Sequence, residues 1–216
     1  MRLTNPALLL LLPALLATTL HAAPAEAIDT GWILSKLARP APMRTAFVEL
    51  RSSRLLKKPL RIEGEYVRPD ADTLVRDVRL PYAETSTIRA GKVTIRRGGS
   101  ASTYSLDRAP ELAGMQASFG ALLSGDRTEL ERHFRIGSDG SRERWTLRLE
   151  PRDAAMARRV RGIALYGRGA ELRCIETRPV AGEIQRTLMA GAARSAGGIA
   201  DATSLAALCH GDSQAR

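Results

Sequence analysis

Aromatic side chains are scarce. Phe, Trp and Tyr together make up 4% of the chain, too few to supply stacking platforms for nucleobases. There are two cysteines, Cys174 and Cys209, and neither a paired Cys-x-x-Cys nor a His-Glu-x-x-His spacing for zinc. No Gly-x-Ser-x-Gly elbow and no glycine-rich phosphate loop occur. His133 and His210 stand far apart, and His133 reads as a strand surface residue. Glu63 and Glu65 alternate with apolar residues, as a solvent-facing strand row does. These absences argue against an enzyme, and no catalytic residue, metal ligand or cofactor is expected. Acidic residues are also in deficit, 23 against 33 basic ones, for a net charge of +10.

A long apolar run exists only at the N-terminus. Arg2 precedes an apolar stretch over 7–20, interrupted by Pro13 and followed by small residues at Ala22, Ala23, Ala25 and Ala27. That order is the order of a secretory signal, and the run is short of the roughly 20 residues a membrane span needs. Cleavage after Ala25 and cleavage after Ala27 both satisfy the small-x-small rule, and 1–25 is assigned as the signal peptide. No cysteine near the cleavage region offers an acylation site, and no second long apolar run follows. The expected product is a soluble, monomeric periplasmic protein.

About 190 residues then remain, enough for one domain with a substantial core. In an exported protein the positive charge points away from nucleic acid and toward a solvated face that meets anionic lipid headgroups. Cys174 and Cys209, in an oxidising compartment, read either as a disulfide or as two buried free thiols. A bridge would tie the last segment to the domain and add roughly 3–4 kcal/mol in the chain-entropy model.

Periodicity orders the rest. Trp32, Ile33, Lys36 and Leu37 start a helix capped by Asp29 or Thr30. Alternation predicts strands over 45–51, 61–68 and 73–80, then a hairpin of 85–89 with 92–96 around Ala90-Gly91. Over 111–124 the period changes: Leu112, Met115, Phe119, Leu122 and Leu123 share a helical face, with Gly125 near C′. Strands resume at 133–136 and 145–149, 160–166 pairs with 172–177, and 182–189 adds a last strand. Gly and Ala dominate the tail, 192–216, where 205–208 is read as a short helix carrying Cys209.

About nine strands in one antiparallel sheet must curl, because each strand pair twists. The expected fold is mainly β, a strongly curved half-barrel covered by the two helices.

This order of elements resembles the LolA-type periplasmic lipoprotein carriers over about 28–190. Glu63-Gly64-Glu65-Tyr66-Val67-Arg68-Pro69 is similar to that family's glycine-containing strand ending in Arg-Pro. Pro81 and Ala90-Gly91-Lys92 look like its next strands and its Gly-Lys turn, and the helix 112–123 stands where the family has its covering helix. After that turn the family often carries aromatics, whereas Val93-Thr94-Ile95-Arg96-Arg97 stands here, and the tail with Cys209 differs from the family's usual end.

The resemblance implies a lipid-carrier domain over 26–191, with an apolar cavity lined by Ile62, Tyr66, Leu112, Met115, Phe119 and Leu122. It also implies that Arg68 latches the helical lid. The implied partners are an acylated lipoprotein or another lipid as cargo, an inner-membrane transporter and an outer-membrane acceptor. A lipid-binding or sensor module on the same fold, without transport, is the alternative.

Overall fold

Period-two alternation along most of the chain becomes one antiparallel sheet of eleven strands in the computed structural model, which describes residues 28–51, 57–106 and 121–211. The first meander comprises β1 (Met43–Arg51), β2 (Leu60–Arg68), β3 (Leu74–Leu80), β4 (Glu84–Arg89), β5 (Lys92–Arg97) and β6 (Ser100–Ser105). The second comprises β7 (Phe134–Gly140), β8 (Trp145–Pro151), β9 (Val160–Arg168), β10 (Glu171–Pro179) and β11 (Gln185–Met189). The two meanders meet at β1 and β11, where Phe47 faces Met189 and Glu49 faces Thr187, so the order is β6-β5-β4-β3-β2-β1-β11-β10-β9-β8-β7. The result is the expected mainly-β architecture, one large curved and open sheet carrying several helices. Among the described residues no helix is long and apolar enough to cross a membrane.

The inner face carries the main core. Phe47, Ile62, Leu147, Leu149, Leu165 and Ile175 project from it, and α1 (Thr30–Leu37) packs Ile33, Leu34 and Leu37 among them. The Asp29 carboxylate caps α1 by accepting the Trp32 N–H at 3.0 Å. Residues 121–124 are helical, and Ala121 and Leu122 join the same core. That helix ends at Gly125, whose φ of 73° suits a left-handed C-terminal cap.

The outer face is also covered, over its central strands. Val48, Leu50, Cys174 and Leu188 form a second apolar cluster beneath α4 (Ala190–Arg194) and α5 (Ala202–His210). Ala192, Ala193 and Ala196 are small enough to bring this segment close to the strands. A Cys174–Cys209 disulfide, with Cα atoms 5.0 Å apart, ties α5 to β10. Beside it Glu176, fully buried, accepts from Arg178 and Arg186 at 2.9 and 2.8 Å, and its Oε2 lies 3.0 Å from His210 Nε2.

Several elements differ from the expectation. The sheet has eleven strands rather than about nine. β6 reads Ser-Ala-Ser-Thr-Tyr-Ser, with no apolar row to betray it, because this edge strand is exposed along most of its length. His133 is not a strand residue. It ends α2 (Arg127–His133), and its Nε2 lies 3.3 Å from Glu129 Oε1. That helix has one apolar anchor, buried Leu130, too little for a helical period. The single turn α3 (Ala154–Ala157) likewise buries only Met156.

Two glycines are required by close packing. At Gly64 a Cβ would run into the Asp77 carbonyl of β3, and at Gly167 into the buried Trp145 indole of β8. Gly167→Ala is therefore expected to lower stability by about 1–3 kcal/mol through overpacking. A urea-midpoint shift, with tryptophan fluorescence reporting the displaced indole, measures it.

Candidate functional site

Antiparallel pairing brings the start of β1, the end of β2, the β9–β10 turn and the end of β11 to one end of the sheet. The last turn of α1 and residues 122 and 123 lie across this end, leaving a cavity of about 680 Å³ between them and the inner face. That volume lies within the range of small-molecule pockets. Its apolar lining includes Leu37, Leu74, Leu122, Leu165, Leu172 and Ile175, so a hydrocarbon chain lying along these side chains would leave water.

Tyr66 lines the cavity and packs against Phe47, ring centroids 4.9 Å apart. Arg76 lies over the Phe47 ring at 4.7 Å and bonds Glu49 at 2.5 Å. Burial pushes the Tyr66 phenol above its usual pKa, although Arg76 opposes the shift, so the hydroxyl stays neutral.

Arg68, at the end of β2, sits where three segments meet. Its Nη1 donates to the Arg39 carbonyl at 3.1 Å and to the Leu123 carbonyl at 3.5 Å, and its Nη2 donates to the Ala71 carbonyl at 3.2 Å. The Arg39 N–H also donates to the Leu123 carbonyl, at 3.0 Å. One guanidinium thus joins the segment after α1, the end of the 121–124 helical turn and the β2–β3 turn.

Of the residues expected to line a cavity, Tyr66 and Leu122 do so, together with Arg68. Ile62 is buried in the core rather than on the lining. Leu112, Met115 and Phe119 lie outside the described residues. Leu165, Leu172, Ile175 and Met189 also line the cavity, on strands that alternation predicts without marking them as lining residues. Their rows are visible in the sequence, but nothing local says that they face β1 and β2. Cys174 and Cys209 lie on the opposite face.

Among the described residues, Glu176, Cys209 and His210 form the one cluster of metal-ligating types. The Cys209 sulfur is in the disulfide and two arginines hold Glu176, so this group serves packing rather than a cation.

The model of a family described as outer membrane lipoprotein carrier protein LolA-like matches residues 22–213 of the chain. No curated protein matches it. Among solved structures, a LolA superfamily protein, NE2245 from Nitrosomonas europaea, is similar at 10% identity and a TM-score of 0.38, over 73% of this chain and 90% of that one. LprF from Mycobacterium bovis is similar at 14% identity and a TM-score of 0.30, over 74% and 91%.

Proposed function

Since the chain belongs to the family of LolA-like outer membrane lipoprotein carriers, we propose that it is an exported periplasmic carrier that shields the acyl chains of a lipoprotein or another lipid in transit from the inner to the outer membrane. The observation that carries this reading is the 680 Å³ cavity, lined in part by Leu37, Leu74, Leu122, Leu165, Leu172 and Ile175, between the inner sheet face and the helical segments joined through Arg68. Each methylene kept from water is worth about 0.8 kcal/mol, so a chain of about 16 carbons faces more than about 10 kcal/mol in crossing unaided. A dry pocket with a movable cover lowers that barrier, and the task requires no bond chemistry. The carrier receives cargo from a transporter in the inner membrane and passes it to an acceptor in the outer membrane.

In this reading Arg68 is a latch. Its bonds to the Arg39 and Leu123 carbonyls stabilise the closed, empty protein and so favour release of cargo. Arg68→Leu is expected to retain lipid and to transfer it about tenfold less readily, since one to two charge-assisted bonds no longer reward closure. Uptake and transfer indistinguishable from wild type would eliminate the latch.

Native mass spectrometry of protein purified from the cell envelope tests the carrier reading itself. A co-purified acylated species is expected, and ligand-free protein alone, from an envelope containing its cargo, would overturn it. In-cell crosslinking to an inner-membrane transporter separates a carrier from a binding or sensor module.

A further inference from the structure

We propose that the ligand of this cavity is an anionic amphiphile, an acyl chain joined to a phosphate- or carboxylate-bearing head. This rests on the lipid-binding reading above and narrows it. The cavity lining contains five arginines (Arg39, Arg44, Arg68, Arg168 and Arg194) and one acidic residue, Glu171. Three of the arginines are engaged: Arg68 by carbonyls, Arg44 by Glu65 at 3.2 Å, and Arg39 by the Ala170 carbonyl at 3.2 Å. Arg168 and Arg194 have no acidic partner among the described residues. Glu171 makes no ion pair with them; its Oε1 accepts the Gly191 N–H at 2.5 Å, and one carboxylate leaves a net positive lining.

Position matters as much as charge. Arg168 ends β9 and Arg194 ends α4, both exposed and both at the same end of the sheet, while Leu165, Leu172 and Ile175 line the interior. A chain lying along the apolar lining leaves its head at this mouth. There two guanidiniums offer forked donors that match phosphate or carboxylate oxygens and offer nothing comparable to an uncharged head. Some arginines elsewhere on the sheet meet carboxylates, as Arg76 meets Glu49, Arg97 meets Glu84 and Arg186 meets Glu176, and others, such as Arg161, meet a carbonyl; what distinguishes Arg168 and Arg194 is their place on the cavity lining. The mouth is a place where the cations are left for something else to pair.

The test compares heads on one chain. Delipidated full-length mature protein is titrated at low salt with 1-palmitoyl lysophosphatidylglycerol, with 1-palmitoyl lysophosphatidylcholine, and with glycerol 3-phosphate, which has the charged head and no chain. The anionic lysolipid is expected to bind about tenfold more tightly than the zwitterionic one, the yield of two partly exposed charge pairs, with the gap closing as salt rises. In Arg168→Gln/Arg194→Gln the two lysolipids are expected to bind alike. Arg148→Gln, which removes a cation paired with Asp139 away from the cavity, keeps the preference.

Equal binding of the two lysolipids by the wild type, or a preference that survives the double substitution, overturns the anionic head and leaves the carrier reading in place. Failure of both lysolipids to bind overturns the carrier reading itself. Glycerol 3-phosphate binding as tightly as the anionic lysolipid reassigns the mouth to a free phosphate and also overturns the proposal.

Discussion

A Cys174→Ala/Cys209→Ala variant is expected to lose about 3–4 kcal/mol of stability, the loop-closure entropy of a bridge spanning 35 residues of sequence. The bridge pins α5 to β10, and α5 with α4 shields Val48, Leu50 and Leu188 on the outer face. Without it, the unfolded chain regains the freedom of the whole segment. A lowered urea midpoint for the variant, compared with oxidised wild type, measures the effect. A loss below about 1 kcal/mol would mean that apolar contacts alone dock α5. Because α4 carries Arg194 and Ala190 to the cavity mouth, hydrogen exchange in 190–194 reports whether the loosening reaches the site.

Glu176→Ala carries the second large effect. Removing the fully buried carboxylate leaves Arg186, largely buried itself, without its partner. Breaking a buried ion pair in this way costs about 3–5 kcal/mol, and the low end is expected because Arg178 and His210 reach solvent. Burial raises the Glu176 pKa, but the hydrogen bonds from His210 and Arg178 and the charges of Arg186 and Arg178 outweigh it, and the net shift is downward. A carboxylate whose folded pKa lies below its unfolded value stabilises the fold above the ordinary carboxylate range. It loses that contribution as pH falls through the folded pKa. Acid titration of stability is therefore expected to show a smaller low-pH loss in Glu176→Gln than in wild type, and identical slopes would overturn this assignment.

Much of the local order was legible in the chain. The Asp29 cap, the alternation of 61–68, the Ala90-Gly91 turn and the Trp145-Leu147-Leu149 row each announce their element, because caps, turns and half-buried strands are written within a few residues. β6 and α2 were not legible. One is an exposed edge with no apolar row, and the other rests on Leu130 alone. The face assignment along β1 was legible only in part. Phe47 and Val48 point to opposite faces, as alternation requires, yet both are buried, because helices pack on both sides of the strand.

The family resemblance and the curved antiparallel sheet were determined by the sequence alone, since element order and two-residue periodicity are local properties. The tertiary structure decided the pairing of β1 with β11, which sets Phe47 against Met189 and joins the two halves of the cavity. It also decided that Arg68, Arg168 and Arg194 gather at one end. Residues so far apart in the chain meet through backbone pairing and shared burial, and neither leaves a mark in any short window of sequence.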